Sequence, residues 1–273
     1  MMRLSACAAV ARAAFADRIA WRGDAFFGAF MSAVRVALAL VLWIAIFDGR
    51  DEVGGMSLPV MASYYLIAVF VFHLDQSDSM GERLAEEIRA GKFGAYLARP
   101  VDPLAWFLSA SAGRTVFQAA IAAAAMLGIG LVMGLAGTRA SSLLAPIEFL
   151  GALAALPILA SGLLSLALVN FMTAVLAFKF QDVTAFRIVQ NSAVEFLSGA
   201  LIPIALMPSW AKLMLELTPF PAIASLPAEL ALGRGFDSLP GTAIVLAAWN
   251  LGLYAAARAA YASLSSRYEE FGS

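Results

Sequence analysis

The chain has 273 residues, of which 62% are hydrophobic and only 14% charged, and its net charge is −1. A soluble domain carries roughly 25% charged and about 45–50% apolar residues, so this composition excludes an ordinary soluble protein and indicates an integral membrane protein. The near-neutral balance offers no basic field for nucleic acid. A single cysteine, Cys7, and a single histidine, His73, leave little for a disulfide framework, a Cys- or His-built metal centre or a Ser-His-Asp triad.

Residues 4–22 read as an amphipathic helix, with Phe15 and Ile19 opposed to Arg12, Arg18 and Arg22. That composition suits a helix lying on a membrane surface, and residues 1–25 are assigned to such an interfacial helix. Its apolar run is cut by Arg12, Asp17 and Arg18, which argues against a signal peptide. A bilayer span needs about 20 mostly apolar residues. Six stretches qualify: 26–47, 57–74, 104–135, 143–178, 186–206 and 240–263. Pro103 is placed to open the third span as its first helical residue. The fourth contains Pro157 in "AALPILASGLL", which has no polar turn, so one bent helix fits better than two short ones.

Lysine and arginine set the orientation. With the N-terminus inside, Arg3, Arg12, Arg18, Arg22, Arg83, Arg89, Lys92, Arg99, Lys179, Arg187, Arg258 and Arg267 are cytoplasmic, against Arg50, Arg139, Lys212 and Arg234 outside. Both termini are therefore expected in the cytoplasm, and residues 75–103 form the largest cytoplasmic loop. Within it, Ser79 and Glu82 read as a capping box. Met80, Leu84 and Ile88 make one apolar stripe, Glu82, Arg83, Glu86, Glu87 and Arg89 occupy the rest, and Gly91 is a natural stop. A short helix over about 80–90 is expected, then a segment "KFGAYLARP" presenting Phe93, Tyr96 and Leu97 before Pro100 ends it. On spacing alone this loop either caps the bundle or docks a partner.

Charges inside spans are costly and tend to be paired or functional. Arg35 lies roughly 10 Å into span one, where it either snorkels or faces a cavity. Arg114 and Gln118 share a helix face, as do Asn191 and Glu195. Glu195 either pairs with Arg35 or Arg114 as structural glue, or lines the route of a cationic or amphiphilic substrate. Gly130 and Gly134, with the alanine-rich run 119–125, permit close helix contact. Residues 207–239 are proline-rich yet apolar, suited to short helices dipping into the outer leaflet or to a lid.

Ile88-Arg89-x-Gly91, followed by Tyr96-Leu97-x-Arg99-Pro100-Val101-x-Pro103, resembles the signature loop of the six-span permeases of ABC-2 type transporters. Other pieces agree: "RGDAFFGAF" before span one and "WIAIF" at its end, Gly54-Gly55 followed by Tyr64-Tyr65-Leu66, then "SGALIPIALMP" and "PFPAIASLPAELALGRG". The resemblance implies an all-α integral membrane protein, a single permease domain over 1–273. It would have six transmembrane helices of type V exporter-like architecture, an N-terminal interfacial helix and a cytoplasmic coupling helix within 75–103.

It further implies the transmembrane subunit of an ATP-driven exporter in the bacterial plasma (inner) membrane, moving a hydrophobic or amphiphilic substrate out of the cytoplasm. The partners would be a second permease, identical or homologous, and two copies of a separate ABC ATPase, with no nucleic acid. The sequence has no G-x-x-x-x-G-K-[ST] phosphate loop, so ATP and Mg are expected on that ATPase, with no cofactor and no enzyme activity on this chain. The residues carried over for coupling are Glu82, Glu86, Glu87, Ile88, Arg89, Gly91, Tyr96, Leu97, Arg99 and Pro100. Arg35, Arg114, Gln118, Asn191 and Glu195 are the candidates for a substrate pathway. The alternative is an ion- or proton-coupled secondary transporter using Glu195 or Arg114, for which matched halves are expected and no internal repeat is found.

Overall fold

Backbone polar groups that enter a bilayer must be bonded within the chain, so helices are the natural way across. The computed structural model describes residues 4–20, 22–94, 102–135, 144–180 and 182–271. Among these the chain is all-α apart from one small hairpin. In order come α1 (Leu4–Ala20), α2 (Arg22–Ile46), β1 (Glu52–Val53) and β2 (Met56–Ser57). Then follow α3 (Leu58–Phe72), α4 (Ser77–Arg89), α5 (Pro103–Leu135) and α6 (Phe149–Val175). The last are α7 (Thr184–Leu197), α8 (Ser209–Glu216), α9 (Ser225–Ala231) and α10 (Leu239–Phe271).

Four stretches of the described residues are long and apolar enough to cross a bilayer: Leu58–Arg89, Pro103–Gly128, Phe149–Phe178 and Phe236–Ser263. α6 runs unbroken through Pro157, as expected, and α5 does begin at Pro103. Asp102 caps α5, accepting the Leu104 N–H at 2.8 Å on its side chain and the Trp106 N–H at 2.8 Å on its carbonyl. In α2 the described residues include a further apolar stretch, Val34–Ile46. The far end of the expected span 186–206 is corrected, because the span is not one continuous helix. α7 stops at Leu197, and Gly199 takes a φ of +80°, a conformation that glycine adopts without steric cost.

Two further local expectations change. Ser79 and Glu82 do not form a capping box, because α4 begins earlier, at Ser77. Asp75 supplies the start instead, its Oδ1 accepting the Ser77 N–H at 3.0 Å and the Ser77 hydroxyl at 2.6 Å. Gly54-Gly55, both at positive φ, turn a two-residue hairpin that pairs Glu52 with Ser57 and Val53 with Met56, the geometry that two-residue hairpin loops favour.

α6 is the element around which the others gather. One end of it, at Phe171 and Ala174, shares a buried cluster with Met80, Leu84 and Ile88 of α4 and with Leu104 and Phe107 of α5. Its other end packs on α9 and on the turn Phe220–Ile223. Bare backbone makes these approaches close: a Cβ on Gly151 would lie 1.8 Å from the Leu230 carbonyl, and one on Gly162 would lie 2.7 Å from that of Ala222. Segment 207–239 thus wedges its α9 against α6 and α3 rather than resting loosely over the bundle. α1 lies along α5, with Phe15 edge-on to Phe117 at 5.6 Å, and a Cβ on Gly113 would meet the Ala11 carbonyl at 2.1 Å. The side chains around Gly130 and Gly134 fall outside the described residues.

Gly151→Ala is expected to destabilise the protein by about 1–3 kcal/mol through overpacking, read as a lower Tm in detergent. Gly252→Ala on α10, where an added Cβ meets nothing within 4 Å, is the control and should leave Tm unchanged or slightly higher.

Candidate coupling site and intramembrane cleft

α4 is amphipathic, but its apolar stripe is not free. Met80, Leu84 and Ile88 are at most 4% exposed, sealed into the cluster around Phe171. The stripe is therefore not what could dock a partner: the chain uses it internally. What α4 presents outward is Glu82, Arg83, Glu86 and Arg89, with Glu87 half-buried. Its end is fixed by Gly91 at φ +69°, the Gly91 N–H reaching Ile88 O at 3.1 Å and the Lys92 N–H reaching Glu87 O at 2.9 Å. This is the paired-bond C-cap that a left-handed residue allows. Tyr96, Leu97, Arg99 and Pro100 lie outside the described residues.

The charged face is tied to the rest of the chain at chosen points. Arg83 pairs with Glu87 at 3.2 Å, and Arg89 approaches Asp182 at 3.8 Å. Asp182 sits below the usual carboxylate range because the Thr184 side chain and N–H both bond to it. Arg187, at the start of α7, reaches two carboxylates of α4: Asp78 at 2.9 Å and Glu82 at 3.1 Å. Behind them runs a polar chain. The Asn170 amide of α6 donates to Ser77 Oγ at 2.7 Å and to Asp75 Oδ2 at 3.4 Å, the Gln190 amide donates to Asn170, and the Thr173 hydroxyl donates to Gln190. Buried polar groups so linked satisfy one another, which is the condition for their being tolerated at all.

Next to this chain lies a cleft of about 250 Å³ between α3, α4, α6 and α7. Phe72, Leu166 and Val194 supply apolar wall; Asp75, Asn191 and Glu195 supply polar wall. The Glu195 carboxylate accepts a hydrogen bond from the Arg35 guanidinium of α2, the side chains being 24% and 40% exposed. Of the pairings open in the sequence, this is the one formed. Arg114 instead meets Asp17 of α1 at 3.3 Å, and half-buried Gln118 lies one turn further along α5. So Asn191, Glu195 and Arg35 converge at the cleft, whereas Arg114 and Gln118 belong to the α1–α5 seam. Sequence reasoning passed over Asp75, Asp78, Asn170, Gln190 and the role of Arg187. One signal was available: Arg187, Gln190, Asn191 and Glu195 recur at i, i+3, i+4 and i+8, a polar stripe within an apolar chain.

These features define a membrane-embedded helical protein. The profile of the ABC-2 family transporter protein family matches residues 33–272, and the chain belongs to that family. With its apolar helices this makes it a multi-pass membrane protein. Among curated proteins no match is found.

A double-mutant cycle of Arg35→Gln and Glu195→Gln, followed by thermal unfolding in detergent, is expected to give a coupling energy of about 1 kcal/mol, as for a partly exposed pair. A value near zero would remove this bond as a link between α2 and α7.

Proposed function

We propose that this chain is the permease subunit of an ATP-binding cassette exporter, and that α4 is its coupling helix. The observation that carries the reading is the two-faced burial of α4. Its apolar side is locked to α6, and its exposed side is charged, with Glu82, Glu86 and Arg89 joined there by Arg83. A lever needs rigid attachment to what it moves and a specific grip for what moves it. Charged rims supply register and partner choice across an interface. In this reading Glu87, Ile88 and Gly91 shape the helix, while Tyr96, Leu97, Arg99 and Pro100 extend the docking loop.

The partner is an ABC ATPase in two copies, which binds ATP and Mg, and the permease acts as a pair with a second, identical or homologous copy. The cleft supports the pairing. At about 250 Å³ it falls below the roughly 300–1,000 Å³ of a small-molecule site, and in the paired permease a facing subunit would enlarge and enclose it. The cargo is hydrophobic or amphiphilic, in keeping with a wall of Phe72, Leu166 and Val194 beside Asn191 and the Arg35–Glu195 pair. Six crossings, with α2 and α7 as the two beyond the four long stretches, place both termini in the cytoplasm of a bacterial inner membrane, consistent with the lysine and arginine bias.

Co-expression and co-purification with a candidate ABC ATPase subunit test this. Arg83→Glu combined with Glu86→Lys reverses two exposed charges that hold no buried contact. The variant should remain in the membrane and lose the ATPase at least ten-fold. Retained binding with undiminished hydrolysis would remove α4 as the docking element.

A further inference from the structure

We infer that α7 is a connecting rod between the coupling helix and segment 207–239, and that Arg187 is the positioning residue through which α4 moves it. The inference rests on the permease reading above and adds to it a route for the motion.

α7 is built inside out. Arg187, Gln190, Asn191, Val194 and Glu195 face the chain, while Phe186, Ile188, Val189 and Phe196 are exposed. Only Val194 of this helix is buried, against Leu166 and Ile223. A helix with one buried apolar side chain is lightly packed, and such elements move at small cost compared with the core. Polar bonds along one face, spaced from end to end, are what hold it.

At the near end the Arg187 guanidinium binds α4 with Nε at 3.1 Å and Nη2 at 2.9 Å from Asp78 Oδ1, and Nη1 at 3.1 Å from Glu82. Only 12% of its side chain is exposed. A planar fork held by two carboxylates fixes direction as well as distance, which a lysine could not do. Eight residues on, about 12 Å along the axis, Glu195 holds Arg35 of α2. Just beyond the helix, the Ser198 carbonyl accepts the Ser225 N–H at 3.0 Å and the Gly199 carbonyl accepts the Tyr64 hydroxyl at 3.0 Å. Ser225 is the first residue of α9. A displacement of α4 therefore pulls α7 through Arg187 and is delivered at the far end to α9 and to Arg35. The apolar stripe of α4 drives α6 directly; Arg187 is the separate connection to α7.

The test uses single-cysteine reporters in a Cys7→Ser background, in the full permease with its ATPase. Ser79→Cys on the exposed side of α4 and Ser192→Cys on the exposed side of α7 are each labelled with an environment-sensitive fluorophore. Spectra of the assembled complex are compared with and without Mg-ATP. With Arg187 present, both reporters should respond. In Arg187→Gln the α4 response should persist and the α7 response should fall at least five-fold, with Arg187→Lys between the two. If Arg187→Gln does not fold, Asp78→Ala removes the acceptor of the shortest bond from the other partner and should likewise weaken the α7 response. An undiminished α7 response in these variants, or an α7 reporter that is silent with Arg187 present while α4 responds, would overturn the rod. A silent α4 reporter in the assembled complex would instead overturn the coupling-helix reading, and the rod with it.

Discussion

Met80, Leu84 and Ile88 lie against Phe171 and Ala174 of α6, and this contact decides what the most charged helix of the chain can do. A 13-residue helix is marginal by itself in water. Burying each of three large side chains contributes about 1.5–3 kcal/mol, enough to hold α4 in one place and one rotation. The charged side is then presented as a rigid surface, since the groups beneath it cannot slide. A stripe left free would have allowed the helix to roll on any partner that gripped it.

The second constraint is the cost of polar groups in an apolar chain. Several of these groups find partners on a different helix: Asn170 meets Ser77, Gln190 meets Asn170, Glu195 meets Arg35, and Arg114 meets Asp17. Asn250 of α10 similarly donates to Ser161 Oγ of α6 at 2.8 Å. Where lipid gives helices no hydrophobic reason to associate, bonds of this kind and close packing are what select the arrangement. Close packing comes from Gly113, Gly151 and Gly162, each opposite a backbone carbonyl of another element. The polar bonds specify which helices pair, and the glycines set how near they come.

These two devices divide the molecule unevenly. α6 is gripped on several sides by packed side chains, whereas α7 is held along one face by hydrogen bonds and ion pairs. Hydrogen bonds exchange partners at modest net cost, but interdigitated side chains do not slide without losing many contacts. In the proposed permease the differently held helices divide the work, α6 as the frame and α7 as the element that shifts.

Much of this was legible in the linear order of residues. Composition alone required a membrane protein, Pro103 marked the start of α5, Gly91 the end of α4, and the lack of a polar turn around Pro157 kept α6 one helix. Local rules suffice there because proline and glycine act on their own backbone. The loop pattern around Ile88, Arg89 and Gly91 reached the family. Periodicity also revealed that α4 has an apolar side, and that Glu195 needed a cation. It could not reveal that α6 already occupies that side, that Arg35 rather than Arg114 meets Glu195, or that Arg187 reaches Asp78 and Glu82 of α4. Those answers depend on which faces meet across long stretches of chain. A side chain's own neighbours in sequence carry no information about the distant groups that will desolvate and pair it, so only the packed structure could decide them.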